Sequence, residues 1–253
     1  MEKVTAIIPA RYGSTRFPGK PLALINGLPM IQHVCQRVAN AKLVDRVIVA
    51  TDDARIATVV DSFGGEVVMT RTDHSTGTDR LAEVAEQIEA ELIVNVQGDE
   101  PLIDPRMVDQ AIAPLVENRR IQMGTVASRI DQVDDFYNPN VVKVVKKQSG
   151  MALYFSRAPI PWPRDLDRDQ LAEVLPQLGL LRHIGLYVYR RKLLLEYPSW
   201  PKMALEELEN LEQLRALERG IELYVAETEF SCHGVDTPAD LERVSQLLSI
   251  ENQ

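Results

Sequence analysis

The sequence predicts an α/β fold: a doubly wound, mostly parallel sheet with an antiparallel extension. Three observations predict it. Through residue 118, short apolar, β-branched runs alternate with stretches of helical period, the pattern of parallel strands joined by crossover helices. Each run ends in a loop rich in glycine or polar residues, which is where open sheets of this kind bind ligands. Beyond residue 120 the alternation gives way to strands separated by turns. The chain has 253 residues, 45% of them hydrophobic. That is enough for a single domain over 1–253, with residues 120–190 as the extension.

The first element, Val4 to Ile8, reads as a buried strand stopped by Pro9. Gly13, Pro18, Gly19 and Pro21 keep the next stretch from being a helix. This loop carries Arg11, Arg16 and Lys20. Forked and point cations beside glycines that open the backbone form a cradle for a polyanion. It is not a Walker A loop, because five residues separate Gly13 from Gly19 and Pro21 follows Lys20 where a hydroxyl would sit. The G-x-G-x-x-G fingerprint is also absent. The plain alternative is a solvated basic loop. Asn26-Gly27 makes a turn, and Pro29 to Ala39 is a helix with Met30, Ile31, Val34 and Val38 on its apolar face. His33 and Cys35 take core or flanking places in it.

Arg46 to Thr51 is the second strand, and Asp52-Asp53 cap a helix over Ala54 to Phe63. A metal role for that aspartate pair is the costlier reading. Gly64-Gly65 ends the helix, and Glu66 to Thr70 is the third strand. The polar segment Thr70 to Arg80 opens a helix from about Thr78 to Glu89 with Thr78 as its cap, so it is either a capped loop or a pocket wall. Leu92 to Gln97 reads as a central strand ending in Gly98-Asp99-Glu100-Pro101. A carboxylate placed there is suited to Mg²⁺, which takes one or two protein carboxylates plus phosphates. Asp99 is the candidate and Glu100 points elsewhere; the alternative is a turn aspartate.

Asp104 to Asn118 is a helix with Pro105 in its first turn. Met123 to Arg129, Val141 to Lys146 and Ala152 to Phe155 are strands of the extension, an expected dimer surface. Lys143, Lys146 and Lys147 alternate with valines, as solvent-facing charges do. Arg157, at a strand end, could bind a substrate carboxylate. Asp165 to Gly179 reads as a surface excursion. Leu181 to Tyr189 is a strand with His183, Gly185 and Tyr187 on one face. Leu205 to Arg219 is a helix that buries Leu208, Leu211, Leu214 and Leu217 and carries Glu212 and Gln213. After a strand over Glu222 to Ala226, Thr237 caps a last helix, Pro238 takes its first position and Asp240 closes a capping box. Asp236 stands just outside that helix, free to reach a pocket.

Composition narrows the function further. A net charge of −9 excludes the usual nucleic-acid polymer binder, which carries a basic face. Two cysteines, Cys35 and Cys232, are too few for a disulfide framework and suit a reduced, cytoplasmic chain. Met-Glu-Lys leads straight into a strand without the apolar core of a signal peptide. No apolar run approaches the roughly 20 residues of a membrane span.

The run Ile-Ile-Pro-Ala-Arg-Tyr-Gly-Ser-Thr-Arg-Phe-Pro-Gly-Lys-Pro-Leu (7–22) resembles the signature of the sugar nucleotidyltransferases, in its cytidylyltransferase form. Thr70 to Arg80, Val96-Gln-Gly-Asp-Glu-Pro101 and Asn210-Leu-Glu-Gln-Leu-Arg-Ala-Leu217 resemble further segments of that family, so the likeness spans nearly the whole chain. It implies a Rossmann-like nucleotidyltransferase fold. It implies Mg²⁺-dependent transfer of CMP from CTP to the anomeric hydroxyl of an acidic 3-deoxy sugar, 3-deoxy-manno-octulosonate, for lipopolysaccharide biosynthesis. It implies CTP contacts from Pro9, Ala10, Arg11, Ser14, Arg16, Lys20, Gln97, Arg71 and Ser75, the last two near the base. Asp99 and Asp236 are the implied metal ligands, and with Arg11, Arg16 and Lys20 they form the implied catalytic set. Arg157, His183, Tyr187, Glu212 and Gln213 are the expected acceptor residues, Arg157 or His183 supplying a cation for the sugar carboxylate. A homodimer is expected. The same chemistry on an 8-amino sugar or a sialic acid, and a nucleotide sensor without turnover, are the rival readings.

Overall fold

A computed structural model describes residues 2–13 and 17–251. Ser14 and Arg16 lie outside the described residues. The chain opens with β1 (Val4–Ala10), the hairpin strands β2 (Leu24–Ile25) and β3 (Leu28–Pro29), and α1 (Met30–Ala39). β4 (Arg46–Thr51), α2 (Ala54–Ser62), β5 (Glu66–Met69), α3 (Gly77–Gln87), β6 (Leu92–Asn95) and α4 (Pro105–Glu117) complete the alternating part. The order then runs β7 (Met123–Arg129), α5 (Val133–Tyr137), β8 (Lys143–Lys146), β9 (Ala152–Ser156), α6 (Arg168–Leu178), β10 (Leu181–Arg190) and α7 (Arg191–Glu196). It closes with α8 (Ala204–Glu209), α9 (Gln213–Glu218), β11 (Leu223–Thr228) and α10 (Pro238–Glu251).

The main sheet has the order β11-β7-β10-β6-β1-β4-β5. β1 pairs in parallel with β4 and β6, β4 with β5, and β7 with β11. β10 runs antiparallel between β6 and β7, and β8 and β9 extend it in antiparallel fashion. The expected α/β sheet with an antiparallel extension is therefore present, with one parallel strand, β11, returning beside β7. Apolar side chains of α1, α2 and α4 pack with Ile8, Val94 and Val126 on one face. Those of α3, α7 and α9 pack with Ile7, Ile93 and Tyr189 on the other, so the sheet is covered on both sides and its central strands β1 and β6 are mostly apolar. A smaller cluster of Ile25, Met30, Val235, Val244 and Leu248 docks α10 onto the β2-β3 hairpin.

Several elements differ from the sequence expectation. β1 continues through Pro9, opposite Ala50. Backbone groups of alternate residues face the same neighbour in a parallel strand, and Ile7, two residues earlier, accepts from Val96 on the β6 side. The β6 register stops at Asn95 opposite Ile7, so the missing N–H of Pro9 removes no ladder bond. α3 is capped by Thr76, in a reciprocal box with Asp79; Thr78 is buried instead. Asp53 caps α2 as expected, but Asp52 pairs with Arg80.

The excursion at 165–179 contains α6, boxed by Asp167 with Gln170 and stopped by left-handed Gly179. It buries Leu171 and Leu175 against Ile130 and Phe136. The expected helix 205–219 is broken at Asn210 (φ 50°), a residue that tolerates the left-handed region. Leu208, expected inside, is 82% exposed as a result. Lys143, expected in solvent, is fully buried. Its Nζ donates to the carbonyls of Asn138, Val141 and Arg157 at 2.9, 2.6 and 2.6 Å.

Candidate active site

The carboxyl ends of β1 and β6 and the loop before α3 surround a cleft of about 580 Å³. Pro9, Ala10, Arg11, Lys20, Ser75, Gln97, Asp99 and Asp236 all line it. These eight residues were named from sequence, and the fold brings them together from segments more than 200 positions apart. Two glycines make the approach possible. Gly19 is left-handed (φ 72°), and a Cβ there would meet the Tyr12 ring at 3.1 Å. Its N–H donates to Tyr12 O at 2.9 Å, closing the loop, and the next residues form a tight 3-10 turn that carries Lys20. Gly98 lets the turn after β6 lie against β1, since a Cβ there would sit 3.0 Å from Pro9 O.

Lys20 holds the centre of the cleft. Its side chain is 14% exposed, and its Nζ lies 2.6 Å from Asp99 Oδ2 and 3.2 Å from Asp236 Oδ1. The ammonium thus marks a point where two carboxylates converge on one cation. Asp236 reaches this point from the residue before the Thr237 cap, and its own N–H donates to Asp240 Oδ2 at 3.2 Å. Both candidate metal ligands are oxygen donors, as a hard cation requires. Among the described residues there is no group of three or more His, Cys, Asp or Glu that could hold a metal.

Glu100 turns away from the cleft, as expected. Burial pushes its carboxyl up to about 7, against the Cys232 thiol that donates to it at 2.8 Å; the neighbouring Asp99 pushes the same way as burial. Arg71 does not line this cleft. It lies in an adjoining hollow with Asp73 and Glu83, and His74 and Ser75 form the wall between the two spaces. His74 is held by Glu83. Arg80 was not singled out from sequence, yet it lines the cleft, nearly buried, with Asp52 (3.1 Å) and Thr70 as partners. The available signal was its place one turn into α3, whose side chains lean back toward the helix start.

The expected acceptor residues occupy the neighbouring sheet face rather than the cleft lining. Arg157 does not present a free fork: its guanidinium donates to the carbonyls of Glu209, Pro139 and Asn210 at 2.6, 3.0 and 3.3 Å. His183 packs edge-on to Phe155 with Nε2 3.0 Å from Thr125 Oγ1. Desolvation pushes its imidazole down to about 3, so it is neutral near pH 7 and supplies no cation. Tyr187 lies beside it, 5.3 Å between ring centres, and pairs across the sheet with Asn95. Glu212 and Gln213 stand at the start of α9. Burial raises the Glu212 carboxyl against the pull of Arg215 and the Thr78 hydroxyl. Asn95 Oδ1, Glu212 Oε1 and Gln213 Nε2 are buried without a hydrogen-bond partner among the described residues, a state that calls for an explanation such as a ligand.

A family model described as Cytidylyltransferase matches residues 5–224. A 3-deoxy-manno-octulosonate cytidylyltransferase of Syntrophotalea carbinolica is 60% identical over 241 residues, 95% of this chain and 96% of that one. One of Geobacter sulfurreducens is 60% identical over 247 residues, 97% and 99% of the two chains. A solved CMP:2-keto-3-deoxy-manno-octonic acid synthetase, complexed with CTP, superposes with a TM-score of 0.91 at 44% identity, covering 98% of this chain and 99% of that one.

Proposed function

The chain belongs to the cytidylyltransferase family, and from that premise we propose that it transfers CMP from CTP to the anomeric hydroxyl of 3-deoxy-manno-octulosonate, releasing pyrophosphate. The observation that carries the proposal is the convergence of Lys20, Asp99 and Asp236 in a cleft that Arg11 and Gly13 of the first loop also line. The relatives named for this reaction match nearly end to end, and nothing favours an amino sugar, a sialic acid or a sensor. The product would serve lipopolysaccharide biosynthesis.

The chemistry is an in-line displacement at the α-phosphorus without a covalent enzyme intermediate. Neither cysteine is a nucleophile: burial pushes the Cys35 thiol up to about 12 and raises that of Cys232 further still. Positioning and charge stabilisation do the work. Lys20 and Arg11, with Arg16 of the same loop, neutralise the leaving pyrophosphate. Mg²⁺ fits the Asp99–Asp236 pair, because the two carboxylates already share one cation and phosphate oxygens complete the usual shell. When bound, the ion polarises the phosphate and acidifies a hydroxyl.

Gln97 and Ser75 flank the base, and Gln97 is fixed by donating to Gly185 O at 3.3 Å. Tyr187, Glu212 and Gln213 receive the sugar, whose hydroxyls supply partners for the unpaired buried atoms. With Arg157 on carbonyls and His183 neutral, the sugar carboxylate falls to the cations of the cleft. The chain acts as a homodimer, a reading supported by Leu153 on the edge strand β9 and by Trp162, 56% and 65% exposed. It works in the cytoplasm, consistent with two unpaired cysteines; no described helix is long and apolar enough to cross a membrane.

The test is a pyrophosphate-release assay with four nucleotides and three acids: 3-deoxy-manno-octulosonate, its 8-amino analogue and a sialic acid. CTP with the first acid and Mg²⁺ should give turnover, and UTP should be a poor substitute because its C4 edge leaves buried groups unpaired. CTP binding without pyrophosphate release would support the sensor and refute the enzyme.

A further inference from the structure

We propose that Glu100 and Cys232 are positioning residues for the metal-binding carboxylates. Their thiol-to-carboxyl contact latches the segment that carries Asp236 onto the turn that carries Asp99. This rests on the reading of those two aspartates as a magnesium site.

The two carboxylates come from segments with no sequence proximity, so something must set their separation. Lys20 bridges them at present, but it is a flexible side chain destined for phosphate. Two ties join the segments, one between backbones and one between side chains. The N–H of Val235 donates to Asp99 O at 2.9 Å. Three residues earlier, Cys232 Sγ donates to Glu100 Oε2 at 2.8 Å. Between them Gly234 lies so close that a Cβ would stand 3.0 Å from Glu100 Oε1. Segment 232–235 is therefore pressed flat along Asp99-Glu100.

On its far side Asp236 is fixed by Asp240, at the start of α10. Asp236 is thus bracketed: the latch sets its N-terminal side and the helix cap its C-terminal side. Glu100 is not a third ligand, since its carboxyl faces the thiol and no described trio of ligating groups exists. A half-buried carboxyl with one weak donor is a poor way to stabilise a fold. A contact that sets the relative place of two ligands accounts for its presence. Changing the partners that orient metal ligands typically costs about 10–100-fold in metal affinity.

The experiment is Mn²⁺ binding by titration calorimetry or electron paramagnetic resonance, on the full chain with saturating CTP and no acceptor sugar. Cys232→Ala and Glu100→Ala should each weaken Mn²⁺ about 10-fold or more. Cys232→Ser and Glu100→Gln, which keep a donor and an acceptor, should stay within about 3-fold of the parent. CTP affinity without divalent ion should not change. A purely structural role would lower the melting temperature of the alanine variants while leaving Mn²⁺ affinity unmoved, and that result overturns the proposal. Asp236→Asn separates the two levels of inference. If it leaves Mn²⁺ binding intact, the metal site itself is misplaced. If it abolishes binding while Cys232→Ala and Glu100→Ala match the parent, only the latch fails.

Discussion

Replacing Lys20 by methionine should move two properties in opposite directions. The ammonium sits 2.6 and 3.2 Å from two carboxylates at the point proposed for the metal. At an effective dielectric of 20 each contact would be worth about 4 kcal/mol at 4 Å. Asp99 and Asp236 are partly in water, and screening reduces such contacts to about 1 kcal/mol apiece. A cation entering the site without nucleotide must compete with that ammonium. Lys20→Met should therefore tighten Mn²⁺ binding to the nucleotide-free protein by about 1–2 kcal/mol, roughly 5- to 30-fold. Turnover should fall, because the same group is lost from the triphosphate, where removing one stabilising donor costs about 10²–10³ in kcat. The assay pairs Mn²⁺ titration of the nucleotide-free protein with pyrophosphate release. Unchanged or weaker Mn²⁺ binding in the variant would refute the idea that Lys20 occupies the metal position. Near-normal turnover would return the first loop to a solvated basic loop.

Asp99→Asn and Asp236→Asn should each lower kcat at least about 10²-fold with a smaller change in CTP affinity, read by steady-state kinetics; two active variants would sink the metal pair. Arg157→Ala should leave three carbonyls without their donor and cost about 2 kcal/mol in urea unfolding, while a selective rise in the sugar KM with unchanged stability would restore it as an acceptor ligand. His183 carries a pH signature. Its folded pKa, about 3, lies below the unfolded value of about 6.5, so the unfolded chain binds the proton first. Its contribution is intact above pH 6.5 and is lost as pH falls toward 3, by about 2 kcal/mol between pH 7 and 5. Relative to the parent, His183→Gln should show that much less acid destabilisation; equal slopes would mean the ring is protonated in the folded protein.

Much of the fold was legible because the rules that form it are local. Strand β4 and helices α1 and α2 follow from period, caps and a stop, as at Asp53 and Gly64. The same holds for the Thr237–Asp240 box. Where a local rule had two solutions, a nearby residue decided between them. Thr76 rather than Thr78 caps α3 because only Thr76 has an acid three residues on. The gathering of the named residues around the cleft was legible for a related reason: polar residues directly after strands end up at one edge of a parallel sheet, and Arg11, Gln97 and Asp99 do so.

The sequence alone thus determined which segments of the alternating part, through α4, become strands and helices and which loops carry charge to the cleft. Only the tertiary structure decided where the long side chains spend their charge. Lys143 alternates with valines like a surface lysine, yet three carbonyls from 138, 141 and 157 converge on it and replace water. Arg157 looks like a substrate fork until the break at Asn210 turns the carbonyls of 209 and 210 toward it. Asp99 and Asp236 became a pair only when β6 and the start of α10 were folded together. Caps and periodicity are settled within a few residues of chain. Burial and charge pairing sum over every segment that packs nearby, so sequence distance carries no information about them.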